Sequence, residues 1–263
     1  MSKAPKVNDR LWEDALILAF RDMQWIDRVL RSGLSLEEIA GSPGLMLKLD
    51  GNAETAAGDV IASHEERFFL FEFKSSLDHL AKERAKRVYA RIRDARAAYN
   101  KGTIRNEDEQ ILRGAVLGHY LVFPRSKHGV SFSRASVPLH QVDLRCVSYQ
   151  RFTKLLTAAD LHSRSRSMRK VFYGKKRGLS LEEMSKYLSV LATVDGTDDS
   201  DFPLNAAVAS TSGLFWPPGQ ITDLRNYIQH LRRELEQLRQ RDEKAKLQRK
   251  SRHSVFEPGS DRF

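Results

Sequence analysis

Three charged residues, Asp59, Glu72 and Lys74, are set into two stretches that are otherwise apolar or glycine-led, at 58–61 and 68–74. The second stretch is an almost unbroken apolar run, which predicts a strand buried on both faces. Side chains two apart in a strand lie on the same face, so Glu72 and Lys74 are expected to point together. The opposite face of that strand is then filled by Phe69, Phe71 and Phe73.

The two stretches are close enough in sequence to form a β-hairpin. If residues 62–67 make the connection, the pairing register puts Asp59 roughly opposite Leu70. Asp59 then becomes a diagonal neighbour of Glu72 on the adjoining strand. Two carboxylates and one lysine are therefore expected to meet at one place on the sheet.

Burying charged groups costs several kcal/mol per ion unless they are paired or bind a metal. One interpretation is a Glu72–Lys74 ion pair at the end of a strand, with Asp59 incidental. The other is a magnesium site, because Mg²⁺ takes one or two carboxylates, a carbonyl such as that of Phe73, and waters. Such a site could activate water and neutralise a phosphate while Lys74 orients the nucleophile. The residue types alone leave both interpretations open.

The order of Asp59 and Glu72-Phe73-Lys74 resembles the D…(D/E)-x-K signature of the PD-(D/E)XK nuclease superfamily. The resemblance covers about residues 8 to 158 and implies a core of a helix, a β-hairpin, a second helix and further strands. It implies that Asp59 and Glu72 bind Mg²⁺ (or Mn²⁺) and that Lys74 is the catalytic lysine. The residue before Asp59 is Gly58, where the superfamily signature has proline.

The first predicted helix begins near Asn8 or Asp9 and runs to about Arg31, with apolar residues at steps of three and four. Glu13 lies at the margin of its apolar stripe. Some members of the superfamily place an acidic residue from this helix beside the metal, which makes Glu13 a further candidate metal ligand. The alternative is that Glu13 is an exposed helix carboxylate.

The formal net charge of +10 favours a polyanionic partner. Nucleic acid is the preferred candidate, and DNA is favoured over RNA. The single cysteine, Cys146, excludes an intrachain disulfide and a cysteine-based zinc cluster. No apolar run is long enough to cross a bilayer, and residues 1–6 lack the apolar core of a secretory signal. These features predict a cytoplasmic protein with no membrane partner.

Two basic segments are candidates for nucleic-acid binding. A helix predicted from Leu77 to Asn100 carries Arg84, Arg87 and Arg91 along one flank of its apolar stripe, where they could meet phosphates; a solvated basic face is the alternative. The segment 160–178 interleaves aromatic residues with basic ones, which favours nucleic-acid contact over a charged connector. Its basic candidates are Arg164, Arg166, Arg169, Lys170, Lys175, Lys176 and Arg177.

The predicted fold is α/β, with a mixed sheet flanked by helices and a C-terminal helical extension. Residues 1–160 form the nuclease-like core, 161–202 a basic connector plus a helix, and 203–263 an irregular segment followed by a coiled-coil helix and a basic tail. Within 221–241, apolar residues alternate steps of three and four, which indicates homodimerisation or docking to a partner protein, or folding back on the chain's own domain. The residues of this seam are Ile221, Leu224, Ile228, Leu231, Leu235 and Leu238.

These features together predict a metal-dependent endonuclease that hydrolyses phosphodiester bonds, most plausibly in DNA. Fold analogy suggests a setting in antiviral defence, recombination or a mobile element. The alternative is a non-catalytic nucleic-acid-binding adaptor that oligomerises through its C-terminal helix.

Overall fold

The computed structural model of the chain describes a mixed sheet flanked by helices, which confirms the predicted α/β class. The residues it describes are 13–33, 44–50, 58–76, 80–126, 142–194, 203–209, 219–220, 233, 236–237, 240–241 and 243–248. All six residues of the predicted coiled-coil seam lie outside this set. Among the helices described, none combines the length and the apolar composition that crossing a membrane requires.

The described strands lie in the order β6-β5-β4-β3-β2-β1-β7-β8. β3 and β4 are parallel, and the other neighbouring pairs are antiparallel. The chain reaches β4 through helices because parallel strands need a crossover connection. The strands are β1 (Met46–Asp50), β2 (Val60–His64), β3 (Arg67–Phe73), β4 (His119–Ser126), β5 (Val142–Ser148), β6 (Arg166–Ser167), β7 (Pro203–Ala209) and β8 (Gly219–Gln220).

The β2–β3 hairpin is tighter than expected. His64 pairs with Arg67, so only Glu65 and Glu66 form the turn, and Glu65 takes the positive φ of 56° that short hairpin turns favour. The expected connection at 62–67 was therefore wrong, because residues 62–64 belong to the strand. Val60 pairs with Phe71, a register two residues away from the expected one, and Asp59 precedes β2, with its N–H donating to the Phe71 carbonyl rather than lying opposite Leu70.

Helices cover both faces of the sheet. α1 (Glu13–Ser32) and α7 (Met168–Phe172) pack on the face that carries Phe69, Phe71 and Phe73, as the strand alternation predicts. The other face is covered by α3 (Arg87–Lys101), α4 (Asn106–Leu117) and α8 (Leu181–Val194), with the short helices α5 (Tyr149–Phe152) and α6 (Ala158–Arg164) beside them. The central strands are thus buried on both sides, which explains their continuous apolar sequence.

α1 buries a face that is rotated from the predicted stripe. Phe20 is fully buried, with its ring centroid 5.3 Å from that of Phe71 and 5.1 Å from that of Phe172. Ile26 and Leu30 were expected in the stripe but are exposed. The rotation follows from the aromatic cluster on the sheet, which accepts the large Phe20 side chain at its centre.

The helix expected from Leu77 to Asn100 is broken, and its first residues, 77–79, lie outside the described part of the chain. α2 (Leu80–Arg84) ends before Lys86, whose backbone is extended with φ −65° and ψ 142°, and α3 begins at Arg87. The break changes which side chains face the sheet, because a continuous helix would carry the residues of α2 and α3 on one fixed spacing.

α4 corrects a second expectation. The polar sequence of residues 101–110 predicts a loop, and the apolar run 114–123 predicts a strand. In the structure, residues 106–117 are helical and the strand starts at His119. Gly114 is the contact point with α8, since a Cβ atom there would lie 2.1 Å from Cδ2 of Tyr187. Packing of Tyr187 against this glycine allows the two helices to approach closely, a tertiary contact that the local sequence does not reveal.

The segment after residue 160 belongs to the same hydrophobic cores as the residues before it. β6 pairs with β5, and Met168, Val171 and Phe172 are buried beside α1. In α8, Met184, Tyr187, Leu188 and Leu191 are buried in the core on the other face. The shift in composition at Asp160 therefore does not coincide with a boundary between separate cores.

Candidate active site

Asp59 is held at the start of the hairpin by the backbone. Gly58 before it has φ 146°, a conformation that side-chain-bearing residues rarely adopt. The Asp59 N–H donates to the Phe71 carbonyl at 2.9 Å, and the Asp59 carboxylate accepts from the Phe73 N–H. The side chain is buried, with 4% of the residue exposed. Asp59 is thereby fixed against the strand that carries Glu72.

Glu72 and Lys74 point together from the end of β3, as their spacing predicts. Lys74 Nζ lies 2.5 Å from Glu72 Oε1 and donates to the Phe73 carbonyl at 2.9 Å. Glu72 is 2% exposed and Lys74 9% exposed. The structure therefore brings Asp59, Glu72 and Lys74 to one buried position on one face of the sheet.

Glu83 and Lys86 join this cluster and were not predicted from the sequence. Lys86 Nζ lies 2.5 Å from the same Glu72 Oε1 and 3.2 Å from Glu83 Oε2, while Lys74 Nζ lies 3.6 Å from Glu83 Oε2. On one continuous helix Glu83 would point away from the apolar stripe of Ala81 and Ala85. The break at Lys86 brings both side chains over Glu72, so no local pattern could have revealed them.

A row of buried polar side chains continues from Glu83 into the core. The Tyr149 hydroxyl donates to Glu83, and the Tyr149 ring stacks on His119 with centroids 4.2 Å apart. His119 Nδ1 lies 2.9 Å from the Tyr187 hydroxyl. Burial lowers the pKa of His119 to about 3, so it is a neutral core histidine.

The charges of the cluster act unequally on the acids. Burial, and then the neighbouring Glu72 carboxylate, raise the pKa of Asp59 well above its ordinary value. Burial also disfavours ionised Glu72, but the ammonium groups of Lys86 and Lys74 outweigh it and hold the pKa of Glu72 below its ordinary value. Burial and Glu72 raise the pKa of Glu83 to about 7. Glu72 is thus the firmly ionised acid, whereas Asp59 and Glu83 favour protonation.

Glu13 approaches the cluster from α1. Its Oε1 lies 3.6 Å from Lys74 Nζ, and its side chain is 40% exposed. The neighbouring Asp14 pairs instead with Lys48 at 2.9 Å. Glu13 is therefore the acid of α1 that faces the candidate site, and it is the most exposed of the four carboxylates around Lys74 and Lys86.

Two carboxylates and one carbonyl at this position suit a hard divalent cation. Within the described residues, no group of three or more histidine, cysteine, aspartate or glutamate side chains is arranged to hold a metal ion. Asp59 and Glu72 would therefore supply two ligands and the Phe73 carbonyl a third, with water completing the coordination. The mutual repulsion of Asp59 and Glu72, which the raised pKa of Asp59 reflects, is the interaction that a cation would relieve.

The basic candidates on α2 and α3 make structural contacts. Arg84 donates to the carbonyls of Leu155 and Leu156, at 3.1 and 2.7 Å. Arg91 pairs with the buried Asp108 at 2.6 Å. Arg87 is exposed in the first turn of α3, next to Lys86. These contacts account for Arg84 and Arg91 without nucleic acid.

The basic candidates after residue 160 are spread over several positions. Arg169 pairs with Asp27 at 3.0 Å, and Arg177 donates to the Val116 carbonyl at 3.1 Å. Residues 174–179 lie at the start of β3, where Gly178 N–H donates to Leu117 O and Leu179 pairs with Phe68. This is the opposite end of β3 from Glu72, about 13–17 Å along the strand at ~3.3 Å per residue. Five other candidates are exposed: Arg164, Arg166, Lys170 and, near that opposite end, the pair Lys175 and Lys176.

The chain was also compared with known proteins. No family model, curated protein or solved structure matches it. The interpretation of the site therefore depends on its own residues and geometry.

Proposed function

We propose that the protein is a metal-dependent nuclease that hydrolyses phosphodiester bonds, and that its substrate is DNA rather than RNA. The observation that carries the proposal is the convergence of three charged groups: the Asp59 carboxylate accepts the N–H of Phe73, next to Glu72, and the Lys74 ammonium lies 2.5 Å from Glu72. All three side chains are buried at the end of two neighbouring strands. Burial of such charged groups is costly unless they are paired or bind a metal.

The roles of the residues follow from their chemistry. Asp59 and Glu72 would hold Mg²⁺ or Mn²⁺ with the Phe73 carbonyl, and the bound ion would supply charge neutralisation at the phosphate and a water of lowered pKa. Lys74 is charged at neutral pH, because Glu72, Asp59 and Glu83 outweigh burial and raise its pKa. It would orient the attacking water beside the phosphate. Glu13, on α1, would be a further metal ligand.

Two further features support the proposal. The resemblance to the PD-(D/E)XK superfamily implies a helix, a β-hairpin, a second helix and further strands, and the chain has these elements in that order, with β1 between the first helix and the hairpin. The net charge of +10 favours a polyanionic substrate.

The test is cleavage of supercoiled and linear DNA in Mg²⁺, in Mn²⁺ and in EDTA. We expect cleavage by the wild type in either metal and none in EDTA. Asp59→Ala and Lys74→Ala should each lose cleavage while still binding the DNA in a gel-shift assay. A wild type that binds DNA without cutting it in either metal, and whose two variants behave as it does, would identify a non-catalytic adaptor instead.

A further inference from the structure

Two lysines contact the same oxygen atom of Glu72. Lys74 Nζ and Lys86 Nζ both lie 2.5 Å from Glu72 Oε1. Ligation of a divalent cation by Glu72 would add two positive charges to a carboxylate that already faces two ammonium groups. Like charges at such distances repel strongly in a buried site. We therefore expect one of the two lysines to leave Glu72 when a cation binds.

Lys86 is the lysine that can leave. Lys74 is tied to β3, its Nζ also donates to the Phe73 carbonyl at 2.9 Å, and 11% of its side chain is exposed. Lys86 lies between two helices, and 24% of its side chain is exposed. A lysine side chain has a long flexible stem, so its ammonium can move from Glu72 towards solvent without a change in the backbone.

Glu83 keeps Lys86 near the site after such a movement. Its Oε2 lies 3.2 Å from Lys86 Nζ, and its own position is fixed because it is buried and accepts the Tyr149 hydroxyl. In a purely structural role, Lys86 would be the partner of Glu83 and a second counter-ion for Glu72, a carboxylate that Lys74 already neutralises. A lysine is also disfavoured by the helix dipole at the start of α3.

We propose that Lys86 is a second lysine of the active site, which releases Glu72 to the divalent cation and then contacts a phosphate of the nucleic acid. This role rests on the proposed nuclease function, because it assigns the substrate contact of the same site. Lys74 and Lys86 then have different roles. Lys74 stays beside Glu72 and the attacking water, and Lys86 binds the negatively charged backbone of the nucleic acid.

The first experiment uses the wild-type protein. Lysines are acetylated briefly with acetic anhydride in EDTA, in Mg²⁺, and in Ca²⁺ with a DNA oligonucleotide, and each site is quantified by mass spectrometry. We expect the modification of Lys86 to rise severalfold in Mg²⁺, as the ammonium leaves its buried contact, and to fall again when DNA is bound. Lys101, an exposed lysine at the other end of α3, serves as the internal reference for Mg²⁺.

The second experiment measures the salt dependence of DNA binding. Fluorescence anisotropy in Ca²⁺, with gel confirmation that the oligonucleotide stays intact, compares wild type with Lys86→Met, Lys86→Arg and the matched control Lys101→Met. Each phosphate contact to duplex DNA contributes about 0.9 to the slope of log K against log salt. We expect Lys86→Met to lower that slope by about one, and Lys86→Arg to restore it.

Unchanged acetylation of Lys86 in Mg²⁺, or a slope in Lys86→Met equal to that of the wild type, overturns the proposal. Neither readout requires cleavage. If the wild type fails to cut DNA while both readouts come out as expected, the nuclease function is wrong but the metal-dependent phosphate contact stands. If Asp59→Ala and Lys74→Ala abolish cleavage while the Lys86 readouts do not move, only the role of Lys86 is wrong. Should Lys86→Met fail to fold, the acetylation of the wild type still decides.

Discussion

The Asp59 carboxylate accepts the N–H of Phe73, the residue that follows Glu72, and the Asp59 N–H donates to the carbonyl of Phe71, the residue that precedes Glu72. The backbone of β3 therefore holds the two carboxylates beside each other. Asp59 cannot move away from Glu72 without breaking these hydrogen bonds. Their repulsion is built into the fold, and it has consequences for stability, pH dependence and activity.

Asp59→Asn is expected to stabilise the protein while removing its activity. Burial and Glu72 raise the pKa of Asp59, so the stability that this group contributes is full below its unfolded pKa and is lost as pH rises through its folded pKa. In EDTA the variant should therefore have a larger free energy of unfolding than the wild type at pH 8, with the difference shrinking towards pH 4. Urea denaturation at the two pH values measures it, and cleavage in Mg²⁺ should fall by about a hundredfold or more.

The effect of Mg²⁺ provides the control for that prediction. A cation that binds only the folded state raises stability by about 2.7 kcal/mol at a hundred times its dissociation constant. The wild type should show an increased thermal midpoint in Mg²⁺, and Asp59→Asn should not. Equal shifts in both proteins would mean that the ion binds somewhere other than at Asp59.

Glu83→Gln should also stabilise the protein, and over a defined pH range. Burial and the Glu72 carboxylate raise the pKa of Glu83 to about 7 from an ordinary 4.5, so its contribution to stability is present below about pH 4.5 and is lost as pH rises through 7. Glutamine mimics the protonated acid and can still accept the Tyr149 hydroxyl. At pH 8.5 in EDTA we expect the variant to gain up to about 3 kcal/mol over wild type, at 1.36 kcal/mol per pKa unit. At pH 4.5 the two should be equally stable; a constant difference across this range would contradict the assignment.

Gly58→Pro should damage the protein although it restores the residue of the superfamily signature. Gly58 has φ 146°, whereas proline is restricted to about −65°. A Cβ atom at this position would also lie 3.3 Å from the Phe71 carbonyl and 3.4 Å from Glu72 Oε2. Gly58→Ala should cost about 1–3 kcal/mol of unfolding free energy, and Gly58→Pro more.

The matched control for Gly58 is Gly102→Ala. Gly102 also has a positive φ, of 72°, but nothing lies within 4 Å of a Cβ atom there. It should lose some stability and keep full cleavage activity, whereas Gly58→Ala should lose activity as well because Asp59 is displaced. Full activity and wild-type stability in Gly58→Pro would show that the backbone at Asp59 adopts another conformation.

Replacing Lys175 and Lys176 together by methionine should leave the chemical step unchanged. Both lysines are exposed near the end of β3 opposite to Glu72, about 17 Å along the strand at ~3.3 Å per residue. Single-turnover cleavage at saturating DNA should stay within about twofold of the wild type, in contrast to Lys74→Ala. A loss comparable to that of Lys74→Ala would mean that these residues reach the site in the complex with DNA.

Features that depend on neighbouring residues in the sequence were predicted correctly, whereas features that depend on contacts between distant segments were not. The pairing of Glu72 with Lys74 and the burial of Phe69, Phe71 and Phe73 on the other face were predicted, because alternation along a strand is a local property. The register of the hairpin was missed by two residues, because it depends on the length of the turn. The helix of residues 106–117 was missed because its glycine, Gly114, serves the contact with Tyr187.

By itself, the sequence determined that one carboxylate and one lysine share a face of a buried strand, that a second carboxylate lies on the neighbouring strand, and that the chain is strongly cationic. Only the tertiary structure decided that Asp59 faces Glu72, and that Glu83 and Lys86 join them from a broken helix. The physical reason is that strand alternation is set by adjacent residues, whereas the hairpin register and the helix break are set by packing and ion pairs between segments distant in the chain.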